Sequence, residues 1–65
     1  MISKAAEYQS AYKHARQVAQ KKQETVVIWY DDEYTRLKTC TLSRWEYMVD
    51  TNQVTDMDMR GIAEP

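Results

Sequence analysis

The spacing of apolar residues changes period twice along the 65-residue chain. Residues 2–22 contain no Gly or Pro and are dominated by Ala, Lys, Gln, Arg and Glu, all strong helix formers. At the 100° per residue of an α-helix, Ala5, Tyr8, Ala11, Tyr12, Ala15, Val18 and Ala19 fall within an arc of about 140°. Gln9, Lys13, Arg16, Gln17 and Gln20 lie opposite. The pattern predicts an amphipathic helix over 2–22. Ser3 is the candidate N-cap, but Ala6 stands where a capping box places Glu, so the start is weakly specified. Ala rather than Leu along the apolar stripe predicts close approach to a sheet or a neighbouring helix.

Residues 25–30 (Thr-Val-Val-Ile-Trp-Tyr) are β-branched and aromatic, and 34–42 resume that composition after the polar break Asp31-Asp32-Glu33. This predicts a β-hairpin over 25–42, although the Gly that tight hairpin turns favour is missing. Val26, Ile28 and Tyr30 share one face of the first strand and Val27 and Trp29 the other, so both faces are apolar. Ser43 and Glu46 then form the S-x-x-E pattern of a capping box, with Leu42 and Tyr47 placed for a hydrophobic staple. Trp45, Met48 and Val49 supply an apolar stripe, and Asn52 tolerates the left-handed conformation that ends helices. A second helix is predicted over 44–50.

Residues 53–60 alternate, with Met57 and Met59 on one side and Asp56, Asp58 and Arg60 on the other. The alternation predicts a short third strand at an edge of the sheet, its charges discouraging pairing with another chain. Residues 61–65 read as a frayed tail. The expected fold class is α+β in the order α-β-β-α-β, a single small domain over 1–65 without repeats or linker.

Composition raises the question of how such a domain is stabilised. Leu, Ile and Val supply only 10 of the 65 residues and there is no Phe. Chains of this size bury only about 60% of the surface their unfolded form exposes. Low aliphatic content signals disorder when joined to a large net charge, but here the net charge is −1, and two Trp and five Tyr replace part of the missing bulk. The core is therefore expected to rest on aromatics, Met and Ala. The small total conceals an uneven distribution. Residues 1–24 carry five basic groups against Glu7 and Glu24, whereas residues 43–65 carry five acidic groups against Arg44 and Arg60. No stretch approaches the roughly 18 apolar residues of a membrane helix, and Met1 to Ala6 lack the apolar core of an export signal. The single Cys40 cannot form an internal disulfide, which fits a reducing compartment. A cytoplasmic protein without a membrane partner is expected.

The candidate chemistry is sparse. Asp31-Asp32-Glu33 lacks the ligand spread and the Gly of a calcium loop, and three adjacent turn residues are expected to share one solvated environment. His14 has Ser10 four residues before it but no third group to orient the pair, so a boundary histidine is the simpler reading. Cys40 follows Lys38 on one strand face, which would lower the thiol pKa slightly; a half-buried cysteine acting as a small apolar residue is commoner. No catalytic residue, metal or cofactor is assigned. One Cys and one His cannot build a zinc finger.

Two binding surfaces remain. Trp29, Tyr30, Tyr34, Arg36, Trp45 and Tyr47 cluster around the hairpin and second helix, in the residue types that dominate interface hot spots. A three-stranded sheet with its helices on one side hides one face only, so the other face of the first strand is expected to need a partner. The leading expectation is a non-enzymatic protein-binding module of adaptor or inhibitor type, its size suiting a bacterial or phage accessory protein. It would occupy a larger protein or self-associate through an aromatic sheet face. The alternative is a small nucleic-acid-binding regulator using Lys13, Arg16, Gln17, Gln20 and Lys21, although a pI near 5.7 is far from the basic footprint of such domains.

Overall fold

The computed structural model describes residues 4–65, so the expected start of the first helix at Ile2 and its cap Ser3 lie outside the described residues. Helix α1 spans Lys4–Lys22 and leads into strand β1, Val26–Asp31. A four-residue loop returns the chain along β2, Arg36–Thr41, which passes directly into helix α2, Leu42–Asp50. A 3-10 turn at Asp56–Asp58 precedes β3, Met59–Ala63. The three strands form one sheet in the order β2-β1-β3, with β1 antiparallel to both neighbours. The α-β-β-α-β order and the α+β class expected from the sequence are both present.

Because β2 and β3 both run against β1, they are parallel to each other, and the segment joining them must cross the sheet from end to end. That segment contains α2, and it crosses on the face opposite α1. Two separate cores result. On the α1 side, Ala15 and Ala19 pack with Val26, Ile28 and Ala63, bordered by Tyr8, Ala11, Val18 and Leu37. On the α2 side, Val27 packs with Trp45, Met48 and Val54, bordered by Trp29, Cys40, Leu42 and Val49. The expectation that one face of β1 stays uncovered is thus overturned. Val26, Val27 and Ile28 are all buried, because the helices lie on opposite faces rather than on one.

Local chemistry explains the element ends. α1 closes on Gln23 in the left-handed conformation (φ 54°), with the Glu24 N–H returning 3.2 Å to the Ala19 carbonyl. α2 closes the same way. Asn52 adopts φ 61°, its N–H donates 3.1 Å to the Val49 carbonyl, and the Gln53 N–H donates 2.9 Å to the Met48 carbonyl, the paired bonds of a Schellman motif. The start of α2 differs from the expected capping box. The β1–β2 ladder runs on until the Leu42 N–H donates to the Thr25 carbonyl, so the helix begins at Leu42 without an intervening loop. Thr41 becomes the N-cap and its hydroxyl accepts the Arg44 N–H. Ser43 instead donates 2.7 Å to Glu24 Oε1, and Tyr47 points to solvent rather than stapling Leu42.

The third strand lies later in the sequence than its alternation suggests. Val54 drops into the α2 core, and the following Thr55 N–H donates 3.0 Å to Asp58 Oδ2. Aspartate side chains that bond nearby backbone compete with strand geometry, and here a 3-10 turn results. β3 therefore falls at 59–63, and most of the supposed frayed tail is paired, with Ala63 opposite Val26 and Gly61 opposite Ile28. The missing side chain at Gly61 leaves room for the Tyr8 hydroxyl directly above it. A register shift between Ile28 and Trp29 marks a bulge beside Arg60.

Two neighbouring aromatics on α2 test the second core. Trp45→Ala is expected to cost about 3–5 kcal/mol, as large-to-small substitutions of buried aromatics do. Tyr47→Ala should stay within about 0.5 kcal/mol, as surface changes do. Urea denaturation of both variants, followed by circular dichroism, checks the contrast.

Candidate functional site

The end of the hairpin carries the densest polar and aromatic arrangement outside the cores. Its centre is Asp31, the last residue of β1 and a buried one. Oδ1 of Asp31 accepts the Glu33 N–H at 3.0 Å and the Tyr34 N–H at 3.4 Å, which organises the loop in the absence of glycine. Thr35, at φ 50°, takes the left-handed position that Gly would ordinarily fill. Oδ2 of Asp31 meets Lys38 Nζ at 2.7 Å. The hydrogen bond from Lys38 is the main reason the Asp31 carboxyl titrates below its usual 3.8; burial opposes the shift and the two loop N–H groups reinforce it.

Lys38 in turn places its ammonium 4.2 Å from the centre of the Tyr34 ring and 5.9 Å from that of Trp29. Register explains the second contact, since Lys38 sits directly across from Trp29 in the β1–β2 ladder. Behind Trp29 stands Trp45, with ring centres 6.1 Å apart and planes tilted by 47°. Trp29 Nε1 is buried without a partner that meets hydrogen-bond geometry. Tyr34 is 60% exposed and Arg36 is also exposed, so the outward surface of the hairpin end is aromatic and cationic. Asp32 and Glu33 point to solvent while Asp31 does not, so the acidic triplet occupies two environments rather than the one expected.

Of the six residues expected at an interface, Trp29 and Tyr34 come together here around Lys38, and the exposed Arg36 stands opposite Asp31 in the ladder. Tyr30 faces the other side of the sheet, under the Arg60 guanidinium at 5.5 Å. Trp45 is core, and Tyr47 stands on the outer side of α2 with Arg44 at 5.5 Å. The six do not form one sheet face. Lys38 and Asp31, which order the site, were missed; the hairpin register that sets Lys38 opposite Trp29 was the available signal.

Elsewhere, Lys13, Arg16, Gln17, Gln20 and Lys21 are all exposed on α1. His14 is exposed and lies with Glu7, Ser10 and Arg36 along a shallow groove of about 450 Å³ between α1 and β2. Burial pushes the Cys40 thiol above its usual value, against the opposing charge of Arg44. Lys38 pairs with Asp31 instead, and Cys40 borders the α2 core as the half-buried apolar residue favoured from the sequence. Among the described residues there is no group of three or more His, Cys, Asp or Glu side chains placed to hold a metal ion, and no helix is long and apolar enough to cross a membrane. Compared with protein-family models, with curated proteins and with solved structures, the chain matches none.

A carboxyl whose pKa is lower in the folded chain stabilises the fold fully above the unfolded value and loses that contribution as pH falls through the folded one. Asp31→Asn is therefore expected to be less stable than the parent chain at neutral pH, with the difference closing as the solution is acidified below pH 3.8. Urea midpoints of both proteins at neutral pH and well below that value measure it; a gap unchanged by acid would contradict the role given to the Asp31–Lys38 pair.

Proposed function

We propose that this chain is a small protein-binding module of adaptor or inhibitor type, without catalysis of its own, that engages a larger protein through the hairpin end. One observation carries the reading: the exposed Tyr34 ring is held by Lys38, and Lys38 is held by the buried carboxylate of Asp31. Aromatic and cationic side chains make effective interface anchors. Fixing them beforehand removes part of the ordering cost that binding otherwise incurs. Trp29 and Arg36 extend the same surface. The proposed setting is the cytoplasm, where a lone half-buried thiol such as Cys40 stays reduced.

Affinity purification of the tagged chain from its native cells, with quantitative mass spectrometry, is the direct experiment. Tyr34→Ala should leave the fold intact and reduce recovery of a specific partner. Calorimetry with that partner should then show binding weaker by about tenfold or more, the loss of a single hot-spot contact. A partner profile identical for parent and Tyr34→Ala chains would refute the hairpin end as the contact surface.

A second reading has its own support in the exposed row Lys13, Arg16, Gln17, Gln20 and Lys21 on α1. If that row contacts phosphates, labelled oligonucleotides should bind at low salt and dissociate steeply as salt rises. Lys13→Glu combined with Arg16→Glu should abolish the binding. Fluorescence anisotropy that detects nothing at low salt, or binding indifferent to the double reversal, removes this reading.

A further inference from the structure

The two edges of the sheet are treated differently. Backbone alternation can be read from the Leu42 N–H donating to the Thr25 carbonyl, which makes every second pair from there (Val27 with Cys40, Trp29 with Lys38) a mutually bonded one. Leu37 and Thr39 of β2 therefore turn their N–H and carbonyl groups away from β1. At that edge Glu7 reaches over from α1 and its Oε1 accepts the Leu37 N–H at 3.3 Å. The same alternation points Val26 and Ile28 toward β3, where they pair with Ala63 and Gly61. The N–H and carbonyl of Ile62 consequently face outward, and among the described residues nothing takes them up.

An exposed isoleucine stands on this open edge between charged neighbours. Ile62 is 47% exposed, and it borders a shallow groove of about 480 Å³ with Tyr12, Arg16, Glu64 and Pro65. The devices that usually guard an edge are rows of charges, a proline at an outward-facing position, or cover by another element. Asp56 and Asp58, which would have supplied the charges, are withdrawn into the 3-10 turn. Pro65 falls on the inward alternation. The bulge beside Arg60 limits the pairable length without closing the edge.

We propose that the free edge of β3 pairs antiparallel with the same edge of a second copy of this chain, about a two-fold axis at Ile62, forming a continuous six-stranded sheet. Charge selects this register. Centring the axis on Ile62 sets Arg60 of each chain opposite Glu64 of the other, an exchange in which Arg60 leaves the Met57 carbonyl and Tyr30 ring that hold it in the single chain, while a two-fold axis at Arg60 or at Glu64 would bring like charges together. In the Ile62 register the outward-facing groups of Ile62 exchange both hydrogen bonds with their counterparts, at a Cα separation of about 5.5 Å. The two Ile62 side chains then cover each other. This surface is separate from the hairpin end and does not depend on its role.

Light scattering after size exclusion, over a wide concentration series, tests the proposal. The parent chain is expected to move from 7.7 kDa toward twice that mass as concentration rises. Ile62→Lys should hold it at the single-chain mass without changing the circular dichroism spectrum. Arg60→Glu and Glu64→Arg should each weaken association by about tenfold or more, and the double exchange should restore it, since the unlike pairs are then re-formed with signs swapped. A parent chain that stays at 7.7 kDa up to millimolar concentration overturns the proposal. So does association that survives Ile62→Lys, or that is lost with Tyr34→Ala instead. Failure of the double exchange to restore association, with both chains folded, overturns the Ile62 register.

Discussion

Val26, Val27 and Ile28 are consecutive in β1, so their side chains point alternately to opposite faces of the sheet, and all three are buried. Burying both faces of one strand requires cover on both sides, and the described residues hold two α-helices to provide it. One must go to each face. β1 must also lie in the middle of the sheet, since an edge strand cannot be enclosed on all sides. The antiparallel hairpin, the crossover through α2 and the return of β3 along the far side of β1 satisfy these demands together. Val26, Val27 and Ile28 are the largest fully buried side chains.

The residues around β1 follow from the same requirement. α1 approaches with Ala15 and Ala19, and β3 contributes Ala63 and Gly61, so small side chains on both partners let the backbones come close. The α2 core is built the other way, with Trp45 and Met48 filling the space beneath a helix of only two or three turns. A long Ala-faced helix and a short one with large side chains are two solutions to covering the same strand. Toward the hairpin end of the α2 face, Trp29 is backed by Trp45 on one side and covered by Lys38, from across the ladder, on the other.

The extent to which sequence predicts this arrangement depends on whether the determinant is local. The helical run of α1, the β-branched run of β1 and the left-handed Asn52 are set by nearby residues, and their positions agree with the fold, although Ala5 and Tyr12 of the expected apolar stripe are exposed. The capping pattern at Ser43 is also local, yet the β1–β2 ladder overrides it by extending to Leu42 and leaving Thr41 at the cap. Strand alternation over 53–60 competes with the backbone-bonding habit of Asp58, and the turn prevails. Which helix covers which face of the sheet is set by the strand order, which no short-range pattern encodes. The assumption that both helices share a face therefore placed an uncovered aromatic surface where the structure has a core. For the candidate site, Trp29, Tyr34 and Arg36 were visible as residue types, whereas the buried role of Asp31 required the register.

Displacing β3 by a few residues has a consequence for how the molecule meets other chains. Had the strand run over 53–60, its outward side would have carried Asp56 and Asp58, and the edge would have repelled a copy of itself. Withdrawing those carboxylates into the turn leaves Met59, Arg60, Gly61, Ile62 and Ala63 in the strand, with a single charge among them. The opposite edge keeps a carboxylate, Glu7, on its outward N–H. The central strand is sealed on both faces, and exposure is thereby moved to the rim of the sheet: to Tyr34 at the hairpin end and to Ile62 along β3. In a domain this thin, sealing both faces of β1 leaves backbone exposed at the sheet's edges: Glu7 takes up the Leu37 N–H on the β2 side, and nothing among the described residues takes up the outward groups of Ile62 on the β3 side.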